Sequence, residues 1–320
     1  MKNLNKLLDE RKKIVEQIIK NLKTHNYFWD KNFVAMYPLN FVSNKNYNGT
    51  NILRLQLFSE MKNIQDPRFL TFKQILNRPN LKLKKGAKGC SIEYWGIKQL
   101  DESEIENNGK KQKTNYFFGK TYYVFNAKDV ENIPKYKNKF VEVSSDKRVD
   151  YLIENLSKAL ELKVYDNVLT ETPHFSPNQD YIQMPTTFVS PEAKIAVFFH
   201  ELTHWTGHKD RLNRTSIESY SKNIKTRAIE ELVAELGAIF LNSKFGFQTK
   251  KIQDNNYAYI QSWIKILEDN PNELFKAANK ANEAVEYISQ KLEKYLDTKK
   301  NEKQIIDNSD FLAQDEGLVH

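Results

Sequence analysis

The sequence has few of the residues that mark secreted, fibrous or disordered proteins. It contains one cysteine, Cys90, so no disulfide can form within the chain and a reducing cytoplasm fits best. With 10 glycines and 9 prolines among 320 residues, no long low-complexity stretch is present away from the ends. No apolar run approaches the roughly 18 residues of a membrane span, and the amino terminus lacks the apolar core of a signal peptide. The sequence therefore predicts a folded, soluble, cytoplasmic protein with no membrane partner.

Charge is distributed unevenly along the chain. Residues 1–150 carry 29 Lys and Arg against 16 Asp and Glu, whereas residues 151–320 carry 20 against 25. A basic half joined to an acidic half indicates that the first half binds a polyanion. The alternative is a lysine-rich surface that is merely solvated, and charge alone leaves both interpretations open.

The order of the predicted elements favours an α+β fold. In the first half, an opening helix precedes a short helix, TFKQILN, with Thr71 as its N-cap. Strands joined by a tight turn follow around Gly86 and Gly89, and YFFGKTYYVF adds a strongly β-favouring run. Residues 101–115 are polar and charged throughout, which predicts a hairpin loop or an insertion.

The second half is predicted to be mainly helical, with a small β-sheet. A short extended segment, DYIQMP, precedes a helix that begins at Pro191 with Ser190 as its N-cap. A last pair of helices is predicted between Pro271 and Leu296. The predicted divisions are an α+β domain at 1–136, a linker at 137–147, a mainly helical domain at 148–296 and a polar tail at 297–320.

The segment KIAVFFHELTHWTGH carries the clearest chemical signal. His200 and His204 are four residues apart, so both imidazoles lie on one helix face and can reach one zinc ion. Glu201 lies beside the metal, where a carboxylate can take a proton from metal-bound water. The alternative to a metal site is a helix whose histidines only pair with neighbouring side chains. The apolar lead-in to the motif and the concentration of histidines favour the catalytic zinc site.

A third protein ligand is needed, and two candidates compete for that role. HELTHWTGHKD also matches a pattern in which Asp210 is the third ligand, but that pattern is followed by a methionine turn. No methionine follows His204 in this sequence. The helix AIEELVAELGAIFL instead places Glu231 and Glu235 on one apolar face, where unpaired carboxylates are costly.

Glu231 is therefore the favoured ligand, with Glu235 behind it holding a ligand histidine. Glu230 and Glu235 stay open as alternative ligands. The alternative for Glu230 is a solvated carboxylate in the first helical turn, with no role at the metal. His208 is a candidate for assisting the transition state or contacting the ligands. A cap or surface histidine is an equally good interpretation of His208.

The chain resembles the ArdC-type antirestriction proteins of conjugative plasmids, a family that includes the amino-terminal part of TraC-type conjugal primases. The resemblance covers nearly the whole chain. The stretches that carry it are NYNGTNILRL, PRFLTFKQILN, KLKKGAKG, YYVFNAKDVENIP, DYIQMP, FFHELTHWTGHKDRLNR, EELVAELGAIFL and YIQSWIKILEDNPNELFKAANKANEAVEYI.

The resemblance implies an amino-terminal domain that binds single-stranded DNA and a carboxy-terminal zincin-like metallopeptidase domain. It also implies a role in protecting incoming DNA from host restriction. Binding a single strand without reading its sequence requires a basic groove and aromatic faces for stacking. The predicted DNA contacts are Lys82, Lys84, Lys85, Lys88, Arg54, Tyr47, Trp95, Tyr122 and Tyr123.

The sequence thus predicts an antirestriction protein with one Zn²⁺ held by His200, His204 and Glu231, and with Glu201 as the general base. Its expected partners are single-stranded DNA and a protein substrate of the peptidase site. Two alternatives stay open: a zinc protease of a host or self protein for which DNA is only a localiser, and an accessory protein of conjugal DNA processing.

Overall fold

The computed structural model describes residues 2–24, 36–99, 115–137, 146–166, 172–221, 223–247 and 257–316. The chain forms two compact units. Unit 1 comprises residues 1–141 and 242–280, and unit 2 comprises residues 142–241 and 281–320. Helices and small sheets occur together, which confirms the predicted α+β class. The domain limits predicted from the sequence remain predictions.

Helices and strands alternate along the chain. The helices are α1 (Lys2–Lys23), α2 (Thr50–Met61), α3 (Phe72–Leu76), α4 (Asp146–Leu160), α5 (Pro191–Thr206), α6 (Thr215–Glu218), α7 (Ile224–Phe245), α8 (Tyr257–Asp269) and α9 (Asn272–Glu316). The strands are β1 (Leu39–Asn40), β2 (Arg68–Thr71), β3 (Lys82–Leu83), β4 (Cys90–Gln99), β5 (Asn115–Asn126), β6 (Val130–Glu131), β7 (Lys163–Tyr165), β8 (His174–Ser176) and β9 (Tyr181–Gln183).

Unit 1 is organised around a four-stranded sheet in the order β1-β2-β5-β4. β4 and β5 form a long antiparallel hairpin that pairs Cys90 with Val124 at one end and Gln99 with Asn115 at the other. Leu55 of α2 packs with Phe69, Cys90 and Val124 of the sheet in a buried core cluster. β3 lies outside this sheet and pairs with β6. The aromatic run that predicted a strand is therefore the second strand of the hairpin.

Two predicted helix starts are confirmed by their caps. The Thr71 side chain accepts a hydrogen bond from the backbone N–H of Gln74, and the Gln74 side chain accepts one from the backbone N–H of Thr71. This reciprocal pair is a capping box. At the start of α5, the Ser190 hydroxyl accepts a hydrogen bond from the N–H of Ala193, and Pro191 occupies the first turn.

A buried ion cluster joins α1, α2 and β4 inside unit 1. Oε2 of Glu93 lies 2.6 Å from Nη2 of Arg11, and Oε1 contacts the guanidinium of Arg54. Burial would raise the pKa of Glu93, but the two arginines lower it below its usual value. Arg54 is 2% exposed, so the prediction that Arg54 extends a DNA-binding surface is corrected. Its guanidinium instead pairs with the carboxylate of Glu93 inside the core.

Cys90 is a free, buried cysteine of unit 1, and burial raises the pKa of its thiol to about 12. The thiolate is the form that reacts, so little of the reactive form exists at pH 8. We expect native Cys90 to react with a disulfide reagent at pH 8 at least ~100-fold more slowly than in guanidinium chloride. Absorbance of the released thiol measures both rates. Equal rates in the two solvents would contradict the buried placement.

Unit 2 contains a three-stranded sheet in the order β7-β9-β8, with α5 packed beside β8, β9 and α4. DYIQMP contributes the strand β9, as predicted, but β9 is central and pairs on both sides. It therefore has no free edge for pairing with a peptide. β8 is the edge strand that lies beside α5.

A glycine allows α7 to approach α5 closely within unit 2. A Cβ at Gly237 would lie 2.4 Å from Oγ1 of Thr203, a distance that side chains do not adopt. The two helices that carry the predicted metal ligands therefore meet at a position where only glycine fits.

The carboxy-terminal helices differ from the prediction. The expected pair of helices between Pro271 and Leu296 is one helix, α9, which begins at Asn272. Three predicted segments lie wholly or partly outside the described residues: most of the charged loop 101–115, most of the linker 137–147 and the end of the tail 297–320. Among the described residues, no helix is both long and apolar enough to cross a membrane.

Candidate metal centre

Helix α5 places the HELTH segment inside unit 2. Ile195, Phe198, Phe199 and Leu202 are buried, so the apolar lead-in to the motif packs in the core. His204 is buried as well, at 6% exposure, while His200 is partly accessible. The apolar residues thus anchor the helix and hold two imidazoles against a neighbouring helix.

Two histidines of α5 and one glutamate of α7 converge on a common point. The Nε2 atoms of His200 and His204 are 3.1 Å apart. Oε2 of Glu231 lies 3.4 Å from Nε2 of His200, and Oε1 lies 3.6 Å from Nε2 of His204. Among the described residues, these three side chains form a group that can hold a metal ion.

The other ring nitrogen of each histidine faces a second carboxylate. Nδ1 of His204 lies 3.2 Å from Oε1 of Glu230, and Nδ1 of His200 lies 3.1 Å from Oε1 of Glu235. Nδ1 of His204 has hydrogen-bond geometry with Glu230, whereas Nδ1 of His200 lies close to Glu235 without that geometry. With the proton of each neutral ring on Nδ1, each Nε2 offers its lone pair beside the carboxylate of Glu231. Lone pairs facing one another repel unless a cation lies between them. The donor set of two imidazoles and one carboxylate therefore fits a divalent metal.

The charges of the cluster shift its titrations strongly. Burial lowers the pKa of His204, but Glu231 and Glu230 outweigh burial and raise the pKa to about 9. Burial also lowers the pKa of His200, whereas Glu231 and Glu235 raise it well above its usual value. Burial raises the pKa of Glu231, and the two histidines lower it far below the usual range. The cluster thus favours positive charge at its centre, as a cation site does.

Glu201 and the alternative ligand Asp210 occupy different environments. Glu201 is 6% exposed, and its negative charge acts on the neighbouring His200. The Asp210 side chain is 72% exposed and lies 3.4 Å from Nδ1 of His208. The structure thus brings Glu231 to the two histidines, and it places Asp210 on the surface with His208.

Glu230 is not a solvated carboxylate of the first helical turn, which was the alternative in which it has no role at the site. It is fully buried, and its Oε1 lies 2.7 Å from Nη2 of Arg214. Its Oε2 accepts a hydrogen bond from the hydroxyl of Ser216 at 2.5 Å. Burial raises the pKa of Glu230, but Arg214 and His204 lower it to about 2. Glu230 is therefore an ionised support for His204.

Tyr220 also belongs to the site, and the sequence analysis missed it. Its hydroxyl donates a hydrogen bond to Oε1 of Glu231, and its ring lies edge-on to His204 with centroids 5.9 Å apart. Arg214 and Tyr220 follow the motif by only 10 and 16 residues, but no periodic pattern marks them. The mixed polar segment DRLNRTSIESY offered no signal beyond its proximity to the motif.

Apart from the buried Arg54, the predicted DNA contacts of unit 1 fall into three groups. Lys82, Lys84, Lys85 and Lys88 are exposed, and Gly86 between them has a φ of 84°, so they project from a tight turn. Tyr47 is partly buried and packs edge-on against Phe69. The remaining aromatics, Trp95, Tyr122 and Tyr123, are 47%, 45% and 44% exposed on the β4–β5 hairpin. Tyr94, which was not predicted, is 52% exposed there.

The difference in charge between the two compact units is larger than the difference between residues 1–150 and residues 151–320. Unit 1 carries 33 Lys and Arg against 17 Asp and Glu, whereas unit 2 carries 16 against 24. The segment 242–280 is basic and belongs to unit 1, although it lies in the second half of the chain. Positive charge is thus concentrated in the compact unit that does not contain the histidine cluster.

Two family models match the chain. One, the N-terminal domain of anti-restriction factor ArdC, matches residues 8–125, and the other, a zincin-like metallopeptidase domain, matches residues 152–280. The metal-free crystal structure of the antirestriction protein ArdC from plasmid R388 has a TM-score of 0.73 and is 26% identical over 89% of this chain and 98% of that one. The chain belongs to the ArdC-type family. The resemblance inferred from the sequence is thereby confirmed.

Two other relatives of this ArdC-type chain are much longer proteins. Two DNA primases TraC of Escherichia coli are 27% and 26% identical to this chain. The matches cover 86% of this chain, but only 26% and 19% of the lengths of the two primases. The chain thus spans about a quarter or less of these primases. An uncharacterized protein of Sinorhizobium fredii is 24% identical over 78% of the chain and 80% of its own length.

A second structure of the R388 antirestriction protein ArdC contains Mn(II). It has a TM-score of 0.67 and is 27% identical over 88% of this chain and 97% of that one. A metal-bound relative, a zincin-like domain and the converging donors of His200, His204 and Glu231 together support a divalent metal in this ArdC-type chain.

Proposed function

We propose that this chain is an antirestriction protein that binds single-stranded DNA through unit 1 and carries a zinc metallopeptidase site in unit 2. Its place of action is the cytoplasm, where it protects incoming DNA of a mobile element from host restriction. The observation that carries the proposal is the convergence of His200, His204 and Glu231, with Glu201 adjacent on α5. The family supplies the antirestriction context.

The three converging side chains are the proposed ligands of one Zn²⁺. Two imidazoles and a carboxylate form the protein ligand set of catalytic zinc sites, which keep further positions open. A bound zinc ion would polarise a peptide carbonyl and acidify a water molecule. Glu201 would then take a proton from the attacking water and deliver it to the leaving amine, while Glu230 and Glu235 would hold the two imidazoles in orientation.

Unit 1 is the part of the chain that is proposed to bind nucleic acid. Its large excess of Lys and Arg attracts phosphates, and its exposed lysine turn at residues 82–88 can approach a strand closely. Exposed aromatic side chains on the neighbouring hairpin offer faces on which bases stack. A single strand is favoured over a duplex because only unpaired bases expose those faces.

The replacement Glu201→Gln tests the peptidase part of the proposal. The amide keeps the size of the side chain but cannot accept a proton, so hydrolysis of an unstructured protein such as casein should fall at least ~100-fold. Metal content should be unchanged, because Glu201 lies outside the ligand group. Glu192→Gln on the first turn of the same helix is the matched control and should retain full hydrolysis. Undiminished hydrolysis by Glu201→Gln would contradict the assigned role.

The same variant separates the candidate routes to protection in a restriction assay. Loss of protection with Glu201→Gln, at normal metal content and normal DNA binding, would assign protection to proteolysis. Full protection by Glu201→Gln would favour coating of the DNA by unit 1, the second candidate function. The basic charge of unit 1 is the observation that favours this second candidate.

A further inference from the structure

The β4–β5 hairpin of unit 1 presents aromatic side chains on both of its faces. The register pairs Tyr94 with Lys120, Gly96 with Phe118, and Ile92 with Tyr122. Because alternate residues of a strand point to opposite faces, Tyr94, Phe118, Lys120 and Tyr122 share one face. We name these four residues the tyrosine face. Trp95 and Tyr123 lie on the opposite face.

The rings of the tyrosine face form a continuous row. The centroid of Tyr94 lies 6.0 Å from that of Tyr122 and 6.1 Å from that of Phe118. Gly96 makes room for this row, because a Cβ there would lie 2.7 Å from the ring of Phe118. Tyr94 is 52% exposed and Tyr122 is 45% exposed. Aromatic rings this accessible, side by side on one hairpin, are available to another flat ring.

The aromatic residues of the opposite face are engaged within unit 1. Nε1 of Trp95 donates a hydrogen bond to Oε2 of Glu93 at 3.0 Å, and the guanidinium of Arg11 lies 5.6 Å from the Trp95 ring. The hydroxyl of Tyr123 donates a hydrogen bond to Oε1 of Glu10 on α1 at 2.9 Å. These contacts hold α1 against the hairpin, which is a structural role.

We propose that the tyrosine face is the surface on which unit 1 stacks the bases of a single strand, and that Trp95 and Tyr123 take no part in stacking. The inference deepens the proposed DNA-binding function and rests on it. Charge complementarity supports this occupant: Nζ of Lys120 lies 5.2 Å from the centroid of Phe118, within a unit that has a large positive net charge. The lysine turn at 82–88 leads directly into β4, so phosphate contacts lie next along the chain.

The test compares two DNA strands and two double variants of the full chain. The strands are a 20-nucleotide oligothymidylate and a strand of equal length and charge in which most sugars are abasic. Tyr94→Ala with Tyr122→Ala removes the rings, and Tyr94→Phe with Tyr122→Phe keeps the rings while removing the hydroxyls. Tyr151→Ala is the matched control, since Tyr151 is a 60% exposed tyrosine of unit 2. Fluorescence anisotropy at fixed salt measures each affinity.

We expect the alanine pair to lower the affinity for oligothymidylate about 10- to 100-fold and to change the affinity for the abasic strand less than ~2-fold. The phenylalanine pair and Tyr151→Ala should bind both strands as the unchanged protein does. An alanine pair that still binds oligothymidylate normally would overturn the inference. So would equal losses on both strands, because they indicate a charge or folding effect. If the unchanged protein binds neither strand, the proposed DNA-binding function itself fails.

Discussion

Replacing Glu230 by alanine should lower the free energy of unfolding of the metal-free protein by about 3–5 kcal/mol. Glu230 is fully buried and ion-paired with Arg214, whose side chain is only 3% exposed. Removing the carboxylate leaves a guanidinium without its counter-charge in the core, and a buried unpaired charge is among the most destabilising changes known. Urea denaturation followed by circular dichroism, with a chelator present, measures the loss.

A matched control separates burial from charge. Glu218→Ala removes an exposed carboxylate from α6, a few residues after Arg214, and should change the free energy of unfolding by less than ~0.5 kcal/mol. Arg214→Met combined with Glu230→Leu removes both charges, so this double variant should recover part of the stability lost by Glu230→Ala. Equal effects of Glu230→Ala and Glu218→Ala would show that Glu230 does not lie in the buried network.

The sequence was sufficient where the signal is local. The cap residues Thr71 and Ser190 set helix starts through hydrogen bonds to residues three positions away, and both starts were predicted correctly. The spacing of His200 and His204 fixes their common face in the same way, because four residues are about one helical turn. Such features need no knowledge of tertiary contacts.

The sequence was insufficient where tertiary packing decides between chemically similar residues. Glu230 and Glu231 are adjacent carboxylates, yet one meets Arg214 and the other meets both histidines. Adjacent residues of a helix point about 100° apart, so the packing of α7 against α5 directs the two carboxylates to different partners, and Gly237 lies at this contact. Arg54 was predicted to be exposed for a related reason: the residue type indicates a surface, and only the fold reveals its buried partner Glu93.

Strand pairing was a second feature that the sequence did not reveal. DYIQMP was recognised as a strand, but a strand alone does not reveal its neighbours, and β9 lies between β7 and β8. The aromatic residues of the hairpin show the same limit. Alternation along β4 separates Tyr94 from Trp95, but only the register with β5 places Tyr122 beside Tyr94 and leaves Tyr123 on the opposite face.

The largest expected effect on metal binding is that of Glu231→Ala. Apparent binding free energies of protein zinc sites, roughly 10–16 kcal/mol, divide among three or four donors, so the loss of one donor weakens binding roughly 1000-fold. Both carboxylate oxygens of Glu231 face the histidines, at 3.4 and 3.6 Å. Competition with a chromophoric chelator at pH 7.5 measures the dissociation constants for Zn²⁺ and Mn²⁺.

Asp210→Ala is the decisive comparison, because the sequence allowed Asp210 as the third ligand. Its side chain is 72% exposed and lies beside His208, outside the ligand group of the described residues, so its loss should change zinc affinity less than ~3-fold. Glu231→Gln serves as an isosteric control that retains the packing of α7 but donates less charge. Full zinc affinity in Glu231→Ala together with a large loss in Asp210→Ala would reverse the ligand assignment. The opposite pattern would establish that α7, a helix beginning 18 residues after α5 ends, completes the metal centre.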